Sequence, residues 1–257
     1  MSDPRQARLR ALDPARYAWV PADSWAQALN VIRTRPVELA VVDPLLGDEP
    51  RPHAIERLRL LFPSLPLLVY TELAPATASV LLKLGRVGIQ RAVFQRFEDG
   101  PIALRAVLEA ELEHSVSRQV VSALEGKLRE LPESIREALQ MMLYDPAAGL
   151  TVSELAGRAL LSRRTCERFF TRLGLPSPKW VMLLMRLLYA YRLLLDPGHT
   201  VEDVAIKLGY GKVRTLQRHL RAVFCLSAGE LRAAVSFEEA LAIISQRFFE
   251  GRRAAAS

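Results

Sequence analysis

The chain has 257 residues, half of them apolar and a quarter charged, with two Cys and a formal net charge of +7. That balance excludes wholesale disorder, and two Cys exclude a disulfide scaffold. No apolar run nears the roughly 18 residues of a membrane span, and the opening MSDPRQARLR lacks the apolar segment of a secretory signal, so a reducing cytoplasm is the expected setting.

The length predicts two domains, and the charge separates them. Residues 1–149 carry 18 Lys+Arg against 19 Asp+Glu, a net of −1. Residues 150–257 carry 17 against 9, a net of +8, so the whole basic surplus lies in the C-terminal part. A basic module joined to a neutral one points to a polyanion partner on one side, although a solvated basic face has the same composition.

In chain order, the N-terminal part alternates strands and helices. Strands are predicted at 16–20, 37–42, 65–70 and 89–94, and helices at 24–34, 52–61, 74–84 and 101–113. Continuous apolar runs such as ELAVVD read as strands buried on both faces, and the alternation predicts parallel pairing under helices. From Ala103 to Leu131 one apolar stripe runs in steps of three and four. It fits the stripe of a second copy, giving a homodimer, or the core of its own domain.

After Asp145-Pro146 the pattern is helical throughout. Two segments begin alike, TVSELA at 151 and TVEDVA at 200, each with Thr as N-cap and an acidic residue three positions on. Each leads through a turn into a longer, Arg-rich helix. In 162–173 the residues Cys166, Phe169, Phe170 and Leu173 share one face, and Arg163, Arg164, Glu167, Arg168 and Arg172 share the other. In 213–224 Leu216, Leu220, Val223 and Phe224 face inward, and Arg214, Gln217, Arg218 and Arg221 outward. A helix lying in the major groove needs this division: an apolar anchor on one side, long donors for base edges and phosphates on the other. Either helix alone reads as an amphipathic surface helix. Two at matched positions in the basic half point to double-stranded DNA, with successive major grooves about 34 Å apart on one face of the duplex.

The region from about Ser134 to Arg232 resembles the AraC/XylS family of transcription regulators. Arg186, Ala190, Ala205, Gly209, Tyr210, Arg218 and Arg232 recur at the family's spacing. The resemblance implies two helix-turn-helix units joined by a linker helix. Arg164, Glu167 and Arg168 would face bases in the first, and Val213, Arg214, Thr215 and Arg218 in the second, with Lys212 beside them. Glu167 either accepts from a cytosine amino group or pairs with Arg163 or Arg164. Departures are Cys225 where the family usually has Gly, Ala228 for Pro and Leu231 for an aromatic.

The N-terminal part resembles the receiver domain of response regulators, in incomplete form. ELAVVDPLLG sets Asp43 at a strand end as a candidate phosphoacceptor, LLVYTEL sets Thr71 at the switch hydroxyl, and Gln95 stands at the expected Lys position. The acidic pair for Mg²⁺ is not visible, so a degenerate receiver serving protein contacts or dimerisation is the expected reading. No enzyme site, metal site or cofactor motif is found: the four His at 53, 114, 199 and 219 have no ligand spacing.

The expected fold is thus a flavodoxin-like α/β domain (1–114), a helical linker (115–131), an all-α DNA-binding domain (132–235) and a C-terminal helix and tail (236–257). The expected function is a cytoplasmic transcription regulator, an activator contacting RNA polymerase. The alternatives are a non-DNA adaptor and a phosphorylation-controlled switch.

Overall fold

The computed structural model describes residues 4–45, 52–89 and 91–254. They contain fourteen α-helices and three short strands, and divide into two compact units: 1–33 with 37–115, and 34–36 with 116–257.

The first unit holds α1 (Pro4–Ala11), α2 (Trp25–Thr34), β1 (Ala40–Val42), α3 (Pro52–Leu61), β2 (Leu67–Thr71), α4 (Pro75–Arg86), β3 (Ala92–Phe94) and α5 (Pro101–Leu112). The sheet is parallel with order β1-β2-β3, and Val41 pairs with Leu68 and Tyr70 with Val93. Every residue of β2 is buried. Alternate side chains serve opposite faces. Leu67 and Val69 meet Ile55, Leu58, Val80 and Leu84 of α3 and α4, while Leu68 and Tyr70 meet Leu9 of α1 and Leu104 and Leu108 of α5. This two-sided burial is why the strand reads as an unbroken apolar run.

Three expectations change here. Residues 16–20 form no strand. The amides of Arg16 and Tyr17 bond back to the Asp13 carbonyl at 2.9 and 3.1 Å, and the Tyr17 hydroxyl donates to Glu109. Burial, then Glu109, raises the Tyr17 pKa to about 12. The outer strands are also shorter than their apolar runs; Gln90, within the run predicted at 89–94, lies outside the described residues. Finally, the 103–131 stripe is not one helix. It breaks between α5 and α6 (Val116–Leu128), where His114 and Ser115 donate to the carbonyls of Glu111 and Leu112. Leu104 and Leu108 join the first unit's core, and Val116, Val120, Leu124, Leu128 and Leu131 the second's. The stripe is consumed inside each unit, which removes it as the dimerisation seam it resembled.

The second unit continues with α7 (Glu133–Tyr144), a 3₁₀ turn (Pro146–Ala148), α8 (Val152–Arg158), α9 (Arg163–Arg172), α10 (Pro178–Leu194), α11 (Val201–Lys207), α12 (Val213–Phe224), α13 (Ala228–Ala234) and α14 (Phe237–Ala254). Twelve of the seventeen residues of α10 are buried, which makes it the axis of the unit. It packs against α6, α7, α9, α11, α12, α13 and α14. None of the described helices is long and apolar enough to cross a membrane.

Candidate nucleic-acid interface

Each helix-turn-helix begins with a capping box. Thr151 accepts the Glu154 amide at 3.3 Å while Glu154 accepts the Thr151 amide at 2.7 Å; Thr200 and Asp203 repeat this at 3.0 and 2.8 Å. Two orphan donors are satisfied at once, so each short first helix has a fixed start. The turns then differ. In the first, Leu160 takes a left-handed φ of 56° and Leu161 donates to the Ala156 carbonyl at 2.8 Å, which leads directly to Ser162. The Ser162 hydroxyl caps α9 by accepting the Thr165 amide at 3.1 Å. In the second, Gly209 (φ 66°) holds the equivalent position and Tyr210 donates to the Ala205 carbonyl at 2.9 Å. Gly211 then intervenes before Lys212, the N-cap of α12, whose side chain makes no capping bond. The repeat is therefore 49 residues up to the turn and 50 after it.

The inner faces of both second helices are sealed. Cys166 and Phe170 of α9, and Leu216, Leu220, Val223 and Phe224 of α12, are buried, with Phe169 and Leu173 packed on the same core. Burial raises the Cys166 thiol pKa, with a smaller push from Glu167, so this thiol is inert. The outer faces are open: Arg163, Arg164, Arg168 and Arg172 of α9, with Lys212, Arg214, Gln217, Arg218 and Arg221 along α12, are all exposed. Glu167, Val213 and Thr215 are half-buried, and Val213 packs against the core. Of the two fates open to Glu167 within the protein, the pair with Arg163 is the one made, Nε to Oε1 at 2.9 Å. Being exposed, it contributes at most about 0.5 kcal/mol.

The residues shared with the AraC/XylS pattern hold this frame from behind. Arg186 donates to the Leu208 carbonyl at the end of α11, and its guanidinium lies 4.9 Å from the Tyr210 ring centroid. Arg232 donates to the carbonyls of Leu194, Asp196 and His199, closing the end of α10. Ala190 and Ala205 are fully buried. The departures are absorbed. Cys225 adopts φ 61°, Ala228 opens α13 under a Ser227–Glu230 capping box, and Leu231 is fully buried.

Sequence reasoning missed two supports. His219 of α12 stacks edge-on against Tyr210, with Nδ1 3.2 Å from the hydroxyl. Burial first, then the Arg218 and Arg186 charges, lowers its pKa and keeps the ring neutral at neutral pH. Behind α11, Lys207 Nζ lies 2.8 Å from His199 Nε2, both buried. Lys207 follows Val204 by three positions on the inner face, and that spacing was the available signal.

Three capping carboxyls give a pH dependence. Glu154 and Glu239 are held below the ordinary range chiefly by backbone amides, of Thr151 and Ser236, and Glu230 chiefly by the Ser227 hydroxyl. The unfolded chain therefore takes up protons first as pH falls. This stabilisation is complete above the ordinary Glu pKa of about 4.3 and is lost as pH falls through the lower folded value. The triple variant Glu154→Gln, Glu230→Gln, Glu239→Gln is expected to lose less thermal stability than the natural protein between about pH 6 and about pH 3. Parallel calorimetric slopes would show that the boxes carry no acid sensitivity.

In the first unit, Asp43 follows β1, Thr71 ends β2 and Gln95 follows β3. Asp43 Oδ1 accepts the Leu45 amide at 3.0 Å and the Thr71 hydroxyl at 2.9 Å, and Oδ2 pairs with Arg5. The Gln95 amide donates to the Thr71 carbonyl at 2.9 Å. The cation that meets Asp43 is Arg5 of α1, a pairing that no spacing in the sequence announces. Among the described residues no group of three His, Cys, Asp or Glu could hold a metal ion.

Residues 155–234 match a family model described as a helix-turn-helix domain, of the AraC type. These residues carry an AraC-type DNA-binding domain. The matched stretch runs from within α8, just past its capping box, to the last residue of α13, so it takes in α9, α10 and the whole second helix-turn-helix, while α6, α7 and α14 lie outside it. The match supports DNA binding in transcription regulation for the stretch it covers, 80 of the 257 residues. No curated protein and no solved structure matches it.

Proposed function

We propose that this regulator reads a specific duplex site by placing α9 and α12 in adjacent major grooves. One observation carries the reading: at matched positions of two capped helix-turn-helix units, every outward Arg is exposed while the opposite face is sealed. Arg164, Arg168, Arg214 and Arg218 contact base edges, with Gln217 beside them. Arg163, Arg172, Lys212 and Arg221 hold phosphates, and Val213 and Thr215 make apolar contact from the start of α12. Glu167 reads a cytosine amino group when it leaves Arg163. The protein acts in the cytoplasm as an activator that contacts RNA polymerase.

For the first unit we propose a degenerate receiver that makes protein contacts, homodimerisation among them. The alignment of Asp43, Thr71 and Gln95 at the ends of three parallel strands supports this. A carboxylate already engaged by Arg5 and Thr71 favours that role over phosphoryl transfer.

A mobility-shift assay of the full chain with genomic fragments tests the function. Retention of a subset of fragments at physiological salt is the expected result. Sequence-blind retention that vanishes with salt would leave only the non-specific phosphate term and defeat the reading.

A further inference from the structure

The AraC-type match stops at Ala234, but the packed structure does not. α14 is fixed at its start: Ser236 accepts the Glu239 amide at 3.2 Å and Glu239 accepts the Ser236 amide at 2.6 Å. The Tyr191 hydroxyl of α10 donates to the Val235 carbonyl, and the Arg192 guanidinium lies 5.8 Å from the Phe237 ring centroid. Ala240 and Ile244 are then fully buried in the core, and the helix packs on both α10 and α12. Three positions past Ile244, Arg247 reaches the end of α12. Its Nε donates to the Val223 carbonyl at 3.3 Å, and Nη2 lies 3.6 Å from Cys225 Sγ.

Those contacts fall where α12 is weakest. The last four carbonyls of a helix have no intrahelical partner, and Val223 is among them in α12. A cation there satisfies a carbonyl and meets the negative end of the helix dipole. The helix is poorly finished otherwise. Lys212 gives no side-chain cap, and Cys225 holds a left-handed φ of 61° that costs a side-chain-bearing residue roughly 1 kcal/mol. In α9, by contrast, Ser162 caps the start and Gly174 takes the left-handed position after the end.

We infer that α14 is a brace for the second recognition helix and that Arg247 is its positioning residue, closing the C-terminal end of α12 so that Arg214, Gln217 and Arg218 are presented in register. This rests on the proposed reading of DNA by two helices. It adds a determinant outside the helix-turn-helix itself.

The test uses the full chain and a duplex enriched by it from a randomised pool. Arg168→Ala and Arg218→Ala first map, by hydroxyl-radical footprinting, which groove each helix protects. Arg247→Ala is expected to weaken binding about three- to tenfold, from the loss of one charge-assisted cap, with protection lost over the α12 groove and kept over the α9 groove. Without DNA, amide exchange should quicken in the last turn of α12 and not in α9. Adding Cys225→Gly to Arg247→Ala should recover part of the affinity by relieving the left-handed residue. Natural affinity and footprint in Arg247→Ala overturn the brace. So does a loss spread evenly over both grooves with a lowered melting temperature, which marks general stabilisation. A natural chain that enriches no duplex overturns the two-groove reading, and the brace with it.

Discussion

Replacing Gly209 with Ala is expected to lower the stability of the second unit by roughly 2–5 kcal/mol, the sum of a left-handed backbone penalty and a steric one. Gly209 sits at φ 66° in the turn of the second helix-turn-helix. A Cβ there would press on the carbonyl oxygen of Ala147, 3.0 Å from its Cα and 3.1 Å from its carbonyl carbon. Backbone of the 3₁₀ turn yields less readily than a side chain, so the cost is not relieved by rotamer change. Leu160 is the internal control. It has the same handedness at φ 56°, but it is 92% exposed, so Leu160→Gly should shift stability by less than about 1 kcal/mol. Chemical denaturation of the two variants measures both effects; equal midpoints for Gly209→Ala and the natural chain would refute the clash.

The double variant Arg168→Ala, Arg218→Ala is expected to lower affinity for an enriched duplex by about 2–6 kcal/mol, about 1–3 kcal/mol per bidentate base contact. The two residues sit on separate helix-turn-helix units, so their effects should add. Both are exposed and lie opposite the packed faces of their helices, so folding should be almost untouched. Fluorescence anisotropy across a salt series separates their roles. Removing a group that reads a base leaves the slope of log affinity against log salt nearly constant, whereas removing one that holds a phosphate makes it shallower by about one. A double variant that binds random and enriched duplexes with the natural ratio would show that neither residue reads bases.

Much of the second unit is legible in the chain. The paired Thr starts, Gly209 and the division of Arg from Leu and Phe along each helix are local signals, and local physics decides them. The first unit is legible in its alternation but not in its edges. Tyr17 and Trp19 look like strand residues, yet a turn closing on Asp13 takes the amides of Arg16 and Tyr17. The stripe from Ala103 to Leu131 is continuous in sequence because helical periodicity says which residues share a face and nothing about which core receives them. The break at His114 and Ser115 contains neither Gly nor Pro, and Ser115, the residue before α6, is its one local mark. Long-range partners were equally silent: Arg5 reaching Asp43, and Arg247 reaching Val223 from 24 residues away.

The extra Gly211 in the second turn bears on any attempt to move binding specificity from one helix to the other. Positions correspond as Arg164 with Arg214, Arg168 with Arg218 and Phe170 with Leu220, a spacing of 50. A chimera aligned instead on the Thr151 and Thr200 starts would be one residue out, a rotation of about 100° around the helix. With α9 grafted in place of α12, it would set Glu167 where buried Leu216 belongs and Thr171 where buried Leu220 belongs, so the recipient would fail to fold before its new sequence preference could be assayed.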